Sequence, residues 1–162
     1  MMSVPKPGVT AFDTPSDNQI VITRVVKAPR RLVYQAYTVP QHIQRWLLGP
    51  EGWTMPVCEF EARNGGQWRY VWRKADGVEM AMSGTVKEIV PDQKIVSTET
   101  RGPEWPETLN AVVFTESGGY TTITLTITYP SKDARDAALK TGMKDGASQS
   151  YDRLEALLAT MA

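Results

Sequence analysis

The chain has one cysteine and one histidine in 162 residues. A single thiol excludes a disulfide within the monomer, and one Cys with one His cannot build an all-Cys or all-His metal cage. There is no excess of either charge, since 18 Lys and Arg balance 18 Asp and Glu. A nucleic-acid binder, or a binder of anionic membranes, would need surplus cation. No apolar run approaches the roughly 20 residues of a spanning helix. The opening Met1–Gly8 stretch lacks the apolar core of a secretory signal. The expectation is a reduced, cytoplasmic protein without metal or cofactor, and the lone thiol suits it. Phenylalanine is also scarce, at three, whereas Trp and Tyr number five and six. The aromatics are therefore mostly rings with a polar handle. The length fits one domain that buries a full core.

Residues 1–18 hold three Pro, one Gly and small polar groups without periodicity, and read as a loose arm lying against the domain. A single domain follows over 19–162. Gln19 to Lys27 is β-branched and suits a strand. Pro29 opens a helix whose apolar positions Leu32, Val33, Ala36 and Tyr37 recur at three and four, and Pro40 opens a second short one. From Thr54 to Tyr129 the pattern is strands and turns, with punctuation at Asn64-Gly65-Gly66, Ala75-Asp76-Gly77, Pro91-Asp92 and Ser117-Gly118-Gly119. Gln67 to Arg73 alternates strictly, as does Thr122 to Thr128 against Ile123, Leu125 and Ile127, so each strand has one wet and one buried face. Ser131 then caps a helical pattern running to Met161. It is one long helix or two pieces joined near Gly142 and Gly146, where glycines mark a bend or a close backbone approach. Strands grouped in the middle with helices at the ends give an α+β class.

The ordered set Ala28–Tyr37, Pro40 with Trp46, Arg63-Asn64-Gly65-Gly66-Gln67-Trp68, Gly84–Pro91 and Gly142-Met143 to Tyr151-Asp152-Arg153-Leu154 resembles the START and birch-pollen-allergen superfamily, also called SRPBCC. Its nearest branch is similar to the activator of heat-shock-protein-90 ATPase. The resemblance covers about residues 19–160. It implies a helix-grip fold: a curved antiparallel sheet of about six to seven strands around a long C-terminal helix, two short helices after the first strand, and a cavity between sheet and helix. It also implies an apolar small-molecule ligand, a chaperone as alternative partner, or, more distantly, cyclase-like chemistry, and it transfers no catalytic residue. Three departures stand out. Ala147 occupies the place where the pattern often has Trp directly after Gly, the Pro that follows Trp46 is displaced to Pro50, and the leading arm has no counterpart.

The strongest local signal is the Trp68, Tyr70, Trp72 face. A three-residue turn at Ala75-Asp76-Gly77 places it opposite Gly84, Met82 and Met80, whereas a two-residue turn gives Thr85, Ser83 and Ala81. The first register gathers the apolar groups and is preferred. The face is either the wall of a ligand cavity or ordinary core beneath the helix. The ligand-site set is Trp46, Trp68, Tyr70, Trp72, Met80, Met82, Glu99, Phe114 and Met143, with Tyr70, the indole N–H groups and Glu99 orienting a small apolar or amphipathic molecule. Trp46, Trp53 and Trp105 sit near loops, as a lid or as caps on the core. His42 reads as a surface residue and Cys58 as a small apolar one. Glu59, Glu61, Glu79 and Glu99 lie on strands and face solvent unless they point inward, where burial would perturb them; Glu99, on a central strand, is the one to watch. Arg24, Lys27, Arg30 and Arg31 read as a solvated basic face. The paired glycines are turns without the Lys-Ser/Thr of a phosphate loop.

Overall fold

The structure, a computed structural model, describes residues 4–161. The chain opens with β1 (Thr10–Asp13) and β2 (Gln19–Val26), followed by α1 (Arg30–Thr38) and α2 (Pro40–Trp46). Six strands come next: β3 (Trp53–Phe60), β4 (Gln67–Lys74), β5 (Glu79–Val90), β6 (Lys94–Glu99), β7 (Thr108–Ser117) and β8 (Tyr120–Thr128). Two helices end it, α3 (Lys132–Leu139) and α4 (Met143–Met161). The strands form one antiparallel sheet in the order β1-β2-β8-β7-β6-β5-β4-β3. This is the expected α+β helix-grip arrangement, with eight strands in place of six to seven.

The added strand is β1, which lies in the segment read as a loose arm. The Pro and Gly content of that segment hides a short β-competent run, Thr10-Ala11-Phe12. Its ladder runs from Thr10 opposite Arg24 to Asp13 opposite Val21. Two side chains anchor it: Phe12 packs on the core, and Thr10 Oγ1 accepts from Arg24 Nη1 at 2.7 Å.

The Ala75-Asp76-Gly77 turn gives the preferred register. Trp68 lies opposite Gly84, Tyr70 opposite Met82 and Trp72 opposite Met80. Asp76 Oδ1 accepts from the Val78 amide at 3.0 Å, and Gly77 takes a φ of 91°, which favours glycine. Irregular pairing between Thr54 and Val57 and between Val86 and Glu88 bends the sheet.

The terminal helical pattern is two helices. Ser131 Oγ caps α3 by accepting from the Ala134 amide at 3.1 Å. The chain breaks at Lys140–Gly142 before α4, which buries Tyr151, Leu154, Leu157 and Leu158 at helical spacing. Gly146 marks a close approach: a Cβ there would sit 3.2 Å from Pro50 Cδ. The same loop is tied to α4 by Gly49 N donating to Ser150 Oγ at 2.9 Å and by Arg153 Nη1 donating to Gly49 O at 2.7 Å.

The interior has two apolar clusters. One joins β2, β7 and β8 to α1 and α4 through Ile20, Ile22, Val33, Phe114, Ile123 and Leu154. The other sits on β3, β4 and β5 beneath α2 and comprises Ile43, Met55, Trp68, Tyr70, Trp72 and Val86. Among the described residues no helix is long and apolar enough to cross a membrane.

Candidate functional site

The two clusters meet through half-buried Leu47, Phe60 and Ile89, which pack against both. Between them lies a cavity of about 500 Å³, within the size range of small-molecule sites. Its first wall is aromatic: Trp68, Tyr70 and Trp72 on β4, beside Met80 and Met82 on β5. Alternation along β4 sends these three rings to one side while Arg69 and Arg73 face solvent. The rings pack against one another, with centroids 4.7 Å apart for Trp68–Tyr70 and 5.8 Å for Tyr70–Trp72. The second wall is partly polar: Ser97 and Glu99 on β6, Arg101 just beyond it, and Asn110 and Val112 on β7. The helical side is Trp46 of α2, the Leu47–Pro50 loop, and Met143, Ala147 and Tyr151 of α4. Exposed Pro50 and Gly142 mark the rim.

Eight of the nine expected site residues line this cavity: Trp46, Trp68, Tyr70, Trp72, Met80, Met82, Glu99 and Met143. Phe114 does not. It points inward from β7 but lies beyond Val112, beneath α1, where its ring contacts Tyr34 and Tyr37 with centroids 6.4 and 5.1 Å away. It is core, and the expectation is corrected. Of the loop tryptophans, Trp53 lines the cavity, while Trp105 stands outside it against Arg101.

A second correction concerns the indole groups. Trp46 Nε1 donates to Ala36 O at 2.8 Å, Trp68 Nε1 to Thr98 O at 3.1 Å and Trp72 Nε1 to Leu47 O at 2.8 Å. Their donors are used by the backbone, so these rings offer a ligand their faces and edges and not their N–H groups. Orientation falls to the polar wall instead.

Glu99 is the group that stands out there. Glu59, Glu61 and Glu79 face outward and pair with Arg69, Arg63 and Arg73. Glu99 faces inward, and its Oε1 accepts from Asn110 Nδ2 at 3.0 Å. Burial pushes its carboxyl above the usual range, opposed by Arg101 and by the Asn110 hydrogen bond. Burial, with Cys58 and Glu99 nearby, pushes the Tyr70 phenol well up, so the hydroxyl stays protonated. Among the described residues that hydroxyl has no hydrogen-bond partner, although the ring is buried; it is open to the cavity.

The remaining candidates fall outside the cavity lining. His42 is half-buried on α2. Burial, then Glu59, pushes the Cys58 thiol up to about 11, which leaves it protonated and poorly nucleophilic. The basic cluster divides. Arg24 is buried against Asp152 and Glu155 at 2.7 and 3.0 Å, so it is not part of a solvated face. Arg30 and Arg31 border a polar surface hollow in which the Arg30 amide already donates to Glu116 at 2.8 Å. Among the described residues no cluster of three or more His, Cys, Asp and Glu is placed to hold a metal.

Sequence reasoning missed Arg101, Asn110 and Ser97. The signal was available in the alternation of Ile95, Ser97, Glu99 and Arg101, which shares one face at a period of two.

The family described as activator of Hsp90 ATPase homolog 1-like protein matches residues 27–159. The chain belongs to this family. No curated protein matches it. Among solved structures, a protein from Rhodobacter sphaeroides is similar with a TM-score of 0.88 and 25% identity, over 95% of this chain and 100% of that one. A protein from Mycobacterium smegmatis has a TM-score of 0.82 and 25% identity, over 92% and 96%. A third, from Nitrosomonas europaea, shares the fold with a TM-score of 0.81 at 20% identity, over 91% and 98%. Ala147 lines this cavity with a methyl group.

Proposed function

We propose that the protein binds a small apolar or amphipathic molecule between the β4–β5 wall and α4. The observation that carries this reading is the aromatic face itself. Trp68, Tyr70 and Trp72 are nearly fully buried as residues, yet they border about 500 Å³ of space. A protein selected only for stability would close such a gap, because unfilled volume forfeits dispersion contacts. Most of the affinity would come from apolar area, with the polar wall setting orientation. Chaperone docking follows from the family description alone, whereas the cavity reading follows from geometry, which favours it.

Titration with a panel of apolar and amphipathic compounds tests this. Binding should change Trp emission, because three of the five Trp line the β4 wall or its α2 border. It should also raise the melting temperature in proportion to ligand excess over Kd. A panel that leaves both unchanged, with an empty cavity in a crystal grown with the same compounds, overturns the reading.

A further inference from the structure

The polar wall carries more donors than acceptors. Among the described residues the Arg101 guanidinium has no ion pair and no side-chain hydrogen bond, although it borders the cavity. It lies over Trp105, whose ring centroid is 4.8 Å from the guanidinium carbon, and its charge is felt by Glu99 and Tyr129 without a hydrogen bond to either. Stacking of this kind covers one face of the planar group and holds it still, leaving the N–H fork in its edge free. Glu99, two residues away, does not take that fork; it accepts from Asn110 instead. The hydroxyls of Ser97 and Tyr70 also border the cavity without a hydrogen-bond partner among the described residues. Arginine, serine and tyrosine donors thus line one cavity, and Asn110 is occupied by Glu99 and by Thr108 Oγ1 at 3.0 Å.

We propose that the cavity selects an amphipathic anion, with its oxyanion held by the Arg101 fork and its apolar body against the β4 rings. Trp105 is a positioning residue that fixes Arg101 from outside. The proposal rests on the reading of the cavity as a ligand site and adds the charge of the ligand. Glu99 is held away from the fork by its hydrogen bond from Asn110, and burial disfavours its charged form, which lessens its repulsion of a bound anion.

The test uses three probes with one apolar body: naphthylacetate, naphthylacetamide and naphthylethylamine, titrated calorimetrically into the full chain. The carboxylate should bind about 10- to 100-fold tighter than the amide, the value of a charge-assisted hydrogen bond or two. Arg101→Gln should shrink that ratio to near one, Arg101→Lys should keep part of it, and Trp105→Ala should reduce it partway. Trp105 is 37% exposed, so its truncation leaves the fold intact should Arg101→Gln fail to fold. Equal binding of acid and amide overturns the anion proposal and leaves the cavity reading standing. Tightest binding by the amine also overturns it and makes Glu99 the anchor. Failure of all three probes overturns both.

Discussion

The Trp68 indole donates to the Thr98 carbonyl at 3.1 Å by reaching over Gly84, its partner across the β4–β5 ladder. Only glycine permits this. A Cβ on residue 84 would collide with Thr98 O and lie 2.6 Å from Trp68 Nε1. Gly84→Ala should therefore destabilise the fold by about 1–3 kcal/mol, as overpacked sites do. It should also shift Trp emission by displacing the first ring of the cavity wall. Urea denaturation reads the first effect, and an unchanged midpoint would show that β5 moves aside freely.

Trp72 and Tyr70 separate structural from ligand-facing polar groups. Trp72→Phe removes a donor that satisfies Leu47 O, so it should cost about 1 kcal/mol from the lost bond, plus the smaller ring volume. Tyr70→Phe removes a hydroxyl with no partner among the described residues and should leave stability within about 0.5 kcal/mol. Thermal denaturation of the two variants side by side checks the ordering.

Arg24 should prove costly to strand. Asp152→Ala with Glu155→Ala leaves its charge buried, with Thr10 Oγ1 as the remaining side-chain partner. The expected loss is about 3 kcal/mol, the low end for a broken buried pair because Asp152 is 69% exposed. Arg24→Met should cost less than the double variant, since the carboxylates it leaves can reach water. A reversed order in urea would show that packing of the arginine stem dominates.

Glu99 sets the pH dependence. Its folded-state carboxyl titrates above its unfolded value, chiefly through burial, with Arg101, Tyr70 and Tyr129 as the titratable or charged groups around it. The folded state therefore holds the proton more tightly. Its stabilisation is fully present below the unfolded value and is lost as pH rises through the folded one. Glu99→Gln keeps the acceptor for Asn110 and removes the titration, so it should stabilise the protein at neutral pH and flatten the stability profile across that window. A profile identical to wild type would place the titrating group elsewhere.

Ala147→Trp adds a large ring at a position that lines the cavity. It should abolish ligand-induced changes in melting temperature while the apo protein melts at or above the wild-type temperature, because the added ring fills existing space. Ligand response that survives the substitution would put the site elsewhere.

Legibility in the sequence followed the range of the interaction. The β4–β5 register was readable because it depends on a three-residue turn and on which face gathers Trp68, Trp72, Met80 and Met82. β1 is the exception: its partners on β2 are close in sequence, but Thr10–Asp13 is only four residues long and sits among Pro5, Pro7, Gly8 and Pro15, whose turn chemistry dominates the pattern. The inward face of Phe114 was readable, but its position beneath α1 depends on how the helix crosses β7. The indole partners Ala36, Leu47 and Thr98 are backbone carbonyls, which no side-chain pattern announces. Arg101 was missed because a charged side chain at a strand end reads as solvated, and only the fold shows that this one borders the cavity.

The two borders of the sheet bear on how copies of this chain meet. β1 offers only four residues, ending in an exposed Asp13. β3 is longer, but Pro56 removes an amide within its irregular stretch. Neither side presents a long, regular row of unpaired donors and acceptors for another strand to continue, which guards against aggregation through sheet extension at high concentration.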